Sequence, residues 1–121
     1  MSRSMVSKEV LASAKAVVKN TTVYSNSRKF HDCDGTACLL IVSTAGTITV
    51  TQQCSTDDTN WYDPETASGA AGAVEDAITV TTGRYLSFTP VLCDYIRFKI
   101  VETGTSADTA VTLTLVYRVE L

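Results

Sequence analysis

The chain has 121 residues, of which 45% are apolar and 19% charged, proportions ordinary for one globular domain with its own core. No run approaches the roughly 18 apolar residues that a membrane-spanning helix needs, and Lys8, Glu9 and Lys15 interrupt residues 6–18, which argues against a secretory signal peptide. The net charge of −3 hides an asymmetry: residues 1–30 carry six basic side chains and one acid, residues 31–121 four basic side chains and twelve acids.

Residues 1–20 read as a basic N-terminal arm, separate from the body at 21–121. Val10, Leu11, Ala14, Val17 and Val18 fall at helical spacing, and Ser7 is placed to cap a short helix starting at Lys8. An extended arm is the alternative, because Ala16 to Tyr24 runs on into strand composition. A basic leader on an acidic body points to a protein partner, contacted through Arg3, Lys8, Lys15 and Lys19. Nucleic acid is a poor match, since the leader is sparse in Arg and holds no aromatic residue before Tyr24.

From Thr21 onward the pattern is that of strands, expected at 21–24, 28–31, 37–43, 47–54, 60–62, 74–81, 85–89, 94–102 and 110–120. The separators carry turn chemistry: Asn26-Ser27, Asp34-Gly35, Ala45-Gly46, Asp57 to Asn60, Thr82-Gly83, Pro90 and Gly104 to Asp108. From Thr47 to Cys54, Ile48, Val50, Gln52 and Cys54 point one way and the threonines and Gln53 the other. In residues 95–101, Ile96, Phe98 and Ile100 face in while Arg97 and Lys99 face out; in 111–121 the inward set is Val111, Leu113, Leu115, Tyr117 and Val119. Cys38 to Val42 is apolar on both faces and reads as a central strand. Short strands at this spacing predict an all-β fold, an antiparallel β-sandwich of jelly-roll or immunoglobulin-like type. Residues 67–74 are rich in Gly and Ala and read as a loop.

Nothing in the sequence assembles a catalytic constellation. Cys33 shares a strand face with the only His, His31, but no third group is placed to orient a base. The cysteines at 33, 38, 54 and 93 lack the spacing of a common zinc site, and reduced thiols lead over a Cys33–Cys38 bridge. Asp32-Cys-Asp-Gly35 opens like a calcium loop, but position 41, where a Glu ligand belongs, is Ile. Asp57, Asp58 and Asn60 are expected to shape a turn rather than hold calcium. No metal and no cofactor is therefore expected.

The segment Gln52-Gln-Cys-Ser-Thr-Asp-Asp-Thr-Asn-Trp-Tyr-Asp-Pro64 resembles a Ser-x-Asp-Gly-x-Asn-Trp pattern set between two strands in small β-sandwich structural proteins of tailed-bacteriophage virions. Tyr95-Ile-Arg-Phe-Lys99 and Thr109 to Leu115 fit the strands that follow; Asp58 stands where the pattern has Gly. The resemblance covers residues 36–120 and implies a non-enzymatic virion protein assembled in the host cytoplasm, foremost a capsid decoration or cement protein. It would contact the major capsid protein and neighbouring copies, as a homotrimer, with no membrane partner. The alternative is a tail or fibre module binding host-surface glycans through Asp57, Asn60, Trp61 and Tyr62. Trp61 and Tyr62 are otherwise expected in the core.

Overall fold

In the computed structural model, which describes residues 4–30, 36–45, 47–64, 78–79, 83–102 and 108–120, period-two alternation becomes two antiparallel sheets packed face to face. The strands are β1 (Ser4–Val17), β2 (Thr22–Tyr24), β3 (Arg28–Lys29), β4 (Ala37–Ser43), β5 (Thr47–Ser55), β6 (Ile78–Thr79), β7 (Arg84–Phe88), β8 (Tyr95–Glu102) and β9 (Thr109–Glu120). One sheet has the order β1-β9-β4-β7; the other runs β2-β8-β5-β6, with β3 also paired to β8. The expected β-sandwich is what forms.

The core lies between the sheets. Leu39 and Ile41 of β4 and Val111, Leu113 and Leu115 of β9 meet Ile48 and Val50 of β5 and Ile96, Phe98 and Ile100 of β8, all at 0% exposure. Phe88 of β7 packs edge-on against Phe98, ring centroids 6.2 Å apart. Removing each such side chain from water stabilises the fold by about 1.5–3 kcal/mol, so the cross-sheet contact dominates what holds the domain together. The inward and outward sets predicted for β8, and for β9 from Val111 to Tyr117, agree with the burial, as does β5 from Thr47 to Gln52; at its end Gln53, expected outward, is buried and Cys54, expected inward, is half-buried.

Residues 4–17 correct the expectation of a helical or detached arm. They form the longest strand, antiparallel to β9 from Ser4 opposite Glu120 to Val17 opposite Thr109. Two register shifts, between Val10 and Ala12 and between Ala12 and Lys15, each insert one extra residue in β1. The first shift buries the neighbours Leu11 and Ala12 together. The second is accompanied by a positive φ of 46° at Ala14, whose N–H donates to Thr112 Oγ1 at 3.0 Å. The bulges break the alternation that marks a strand and leave an apolar spacing close to that of a helix. The Leu11 carbonyl is not orphaned: it accepts from the Asn26 N–H at 2.8 Å.

Arg28 clasps the sheets at one edge. It lies over the Tyr117 ring, 4.3 Å from the centroid, and its Nη1 donates to the Tyr117 hydroxyl and, at 2.6 Å, to Glu9. Glu9 and Tyr117 belong to the four-stranded sheet and Arg28 to the other. With the Glu9 side chain 45% exposed, the ion pair itself contributes only about 0–1 kcal/mol; the clasp orients more than it stabilises.

Candidate interaction surface

The outer faces of the two sheets differ in chemistry. On the five-stranded sheet, β5 presents Thr47, Thr49, Thr51 and Gln53, and β8 presents Tyr95, Arg97, Lys99 and Val101. That face is polar. On the four-stranded sheet, register brings Val10, Thr114, Leu40 and Tyr85 into one row across all four strands. The adjacent row is Lys8, Val116, Cys38 and Ser87, and beyond it Val6 stands opposite Arg118. Val42 and Thr112 flank the first row on the other side. Val6 is 68% exposed, Tyr85 60%, Val10 51% and Val42 37%. Exposed or half-exposed apolar side chains recur on all four strands of this face, interleaved with Thr112, Thr114 and Ser87 and with Lys8 and Arg118 toward the β1 edge, and such a concentration suits a surface that becomes covered. A cavity of about 250 Å³ opens there between Val6, Thr36, Cys38, Tyr85, Val116 and Arg118. The Tyr85 phenol is raised above its ordinary pKa, by desolvation first and then by the Cys38 thiol beside it.

Sequence reasoning missed this face, although its signal was present. Cys38 to Val42 is apolar on both sides, as expected for a central strand, and β4 does lie between β9 and β7. Among the described residues, however, no further layer covers its second apolar side.

The predicted basic residues fall in different places. Lys8 lies on the outer face just described, and Lys15 is exposed on β1 opposite Val111. Lys19 is exposed in the turn after β1, its backbone N–H donating to Asp108 Oδ1 at 2.8 Å. Arg3 lies outside the described residues, as do His31, Cys33, the Asp32–Gly35 segment and residues 67–74.

The turn motif closes on itself. Asp57 accepts from the Asn60 N–H at 2.8 Å, the Thr59 N–H at 2.9 Å, Asn60 Nδ2 at 2.8 Å and Ser55 Oγ at 3.0 Å. Asp58 adopts the left-handed conformation, φ 60°, that the resembled pattern assigns to Gly, and its Oδ1 accepts from Ser27 Oγ at 2.6 Å. Both acids thus serve turn formation, and no group of three metal-ligating side chains occurs among the described residues. The hydrogen bonds from Asn60 and Thr59 hold the Asp57 carboxyl far below the usual carboxylate range. A depressed folded-state pKa stabilises the turn above the unfolded carboxylate value, and that contribution is lost only as pH falls through the lower folded value. In carboxyl NMR titration, Asp57 is expected to remain ionised at pH 3, where ordinary aspartates are mostly protonated. A midpoint near 4 would show that the turn does not hold the carboxylate.

Beyond the turn, Tyr62 exchanges both backbone hydrogen bonds with Cys54, at 2.9 and 3.0 Å, which seats Trp61 beside β8. Arg97 lies between two aromatic rings, 4.1 Å from the Tyr24 centroid and 4.5 Å from that of Trp61. Gln53 fixes it, accepting from Arg97 Nε at 2.8 Å while its own Nε2 donates to Asp63 at 3.0 Å. Neither aromatic of the motif is a core residue, contrary to expectation: Trp61 is half-buried under Arg97, and Tyr62 is 69% exposed. The polar outer face of β5 and β8 offers no apolar layer for them to enter. Of the four residues proposed for sugar contact, Asp57 is engaged within the turn and Trp61 has a ring face taken by Arg97, whereas Tyr62 is open.

No protein-family model matches the chain, and no curated protein matches it.

Proposed function

We propose that this chain is a non-enzymatic structural protein of a tailed-phage virion, a capsid decoration protein that works by docking. The observation that carries the docking is the row Val10, Thr114, Leu40 and Tyr85 with Val6, Val42 and Val116 around it, which puts apolar side chains on every strand of one outer sheet face. The virion setting is supported by the Ser55 to Trp61 turn motif, with Asp58 in the backbone conformation that the pattern requires. The partner is the major capsid protein, through a surface that is apolar and carries acidic groups where it meets Lys8 and Arg118. Neighbouring copies, as a trimer, complete the contact, and burial of this face cross-links capsomers against internal pressure.

The test is binding to purified particles that lack the protein. The intact chain is expected to bind at close to one copy per major capsid protein. Tyr85→Glu and Val10→Glu change exposed side chains, so both variants should melt as the intact chain does and lose binding at least tenfold, because each places a charge in a desolvated interface. Binding at only a few copies per hundred capsid subunits would assign the chain to the tail. Undiminished binding of both variants would remove this face from the contact.

A further inference from the structure

A second feature is independent of docking. Cys54 lies near the end of β5, and Cys93 lies in the segment that leads into β8. One buried amide reaches both sulfurs: Gln52 Nε2 lies 3.3 Å from Cys54 Sγ and 3.7 Å from Cys93 Sγ. That amide is held rigidly, because Gln52 is 0% exposed and pairs twice with the Val91 backbone, Nε2 to the carbonyl at 2.9 Å and the N–H to Oε1 at 3.0 Å. Both thiols line an open cavity of about 210 Å³ whose other walls are Ser55, Thr56, Tyr62 and Leu92. Leu92 and Tyr62 stand exposed at its rim, and the two cysteines are half-buried behind them. A buried thiol would be out of reach of an oxidant, and an exposed pair would not be held together; this pair is both reachable and held.

We propose that Cys54 and Cys93 form an oxidisable dithiol, a modification site that takes hydrogen peroxide and closes to a disulfide. The Cys54 thiolate attacks one peroxide oxygen, the O–O bond breaks, and hydroxide leaves and takes up a proton to form water. Cys54 is then a sulfenic acid. The Cys93 sulfur attacks the Cys54 sulfur and gives up its proton, the S–O bond breaks, and a second water leaves. The two thiols together lose two electrons, and the peroxide gains them. The roles follow from the hydrogen bonding. The Cys93 thiol donates to Cys54, and with the Gln52 amide it holds Cys54 below its ordinary pKa against the opposing effect of burial. The same contact pushes Cys93 up, and Cys54, whose sulfur lies nearer the Gln52 amide at 3.3 Å against 3.7 Å, is the attacking thiol and Cys93 the resolving one. Apolar walls suit an uncharged oxidant. The product ties the end of β5 to the segment entering β8, across the mouth of the cavity.

The full chain, reduced and then treated with hydrogen peroxide at pH 7, is expected to give a Cys54–Cys93 cross-linked peptide lighter by two hydrogens, reversed by dithiothreitol. Cys93→Ser is expected to accumulate a sulfenic acid at Cys54 that dimedone traps, and Cys54→Ser to give neither product. The wild-type result does not depend on the variants folding. If peroxide leaves Cys54 and Cys93 as free thiols while Cys38 is oxidised, or if the recovered bridge joins Cys33 to Cys38, the proposal is overturned.

Discussion

A chain lacking residues 1–20 is expected to lose its cooperative thermal transition and to aggregate, not merely to stop binding its partner. Leu11 and Val17 are each 1% exposed and Ala12 4%. Their removal forfeits about 1.5–3 kcal/mol for each of the two larger side chains. It also strips the hydrogen-bonded neighbour from β9, which has eleven residues in register with β1. β9 then becomes a long, bare, apolar edge, the kind of strand that recruits other chains. Against a total stability of about 5–15 kcal/mol for a domain, the combined loss leaves little or nothing. Leu11→Ala alone should cost about 2–5 kcal/mol. Circular dichroism melts and size exclusion decide the matter. A truncated chain that melts at the same temperature as the intact one would mean that β1 is dispensable and that the N-terminal segment is an arm after all.

Glu102→Ala is expected to be among the most damaging single substitutions. Glu102 is 0% exposed at the end of β8. Its Oε1 accepts from the Asn20 N–H at 3.2 Å and its Oε2 from the Thr47 N–H at 3.1 Å. One carboxylate thus joins the β1–β2 turn to the start of β5. The turn needs the support: Asn20 sits at φ 59°, and Thr21 donates twice to the Val18 carbonyl, through N–H at 3.1 Å and Oγ1 at 2.6 Å. Alanine orphans both backbone donors, at about 1–3 kcal/mol each. Glutamine supplies one acceptor oxygen and sets an NH2 against the second donor, so its cost should be about half as large. Urea unfolding followed by Trp61 fluorescence measures both. Equal stability of the alanine and wild-type chains would show that water replaces the carboxylate at both donors.

Local pattern was enough for much of this molecule. In β8, in β9 from Val111 to Tyr117 and in β5 from Thr47 to Gln52 the alternation is strict, and burial follows it. The Ser55 to Asn60 turn was equally legible, because its bonds run between residues two or three apart and need no distant partner. β1 was not legible, because its two bulges put Leu11 beside Ala12 in the core and leave four exposed residues, 13–16, before Val17 is buried. The partner that makes such a strand possible is β9, whose Thr112 hydroxyl accepts from the Ala14 N–H across 98 residues.

The candidate site divides the same way. Apolar residues on both sides of β4 were visible in Cys38 to Val42, but that pattern is the same whether a second layer covers the outer side or solvent does. Sheet order decides it, by setting Val10 and Tyr85 in one row with Leu40, with no further layer above them among the described residues. The Cys54 and Cys93 pair likewise arises only when Gln52 reaches Val91, 39 residues away. Alone, then, the sequence determined the all-β class, the inward faces of the central strands and the Asp57 turn, because each follows from side-chain periodicity or from bonds between near neighbours. Tertiary structure decided that the N-terminal segment is a strand, which sheet face stays apolar and open, and which thiols meet, because each depends on register between segments far apart in the chain.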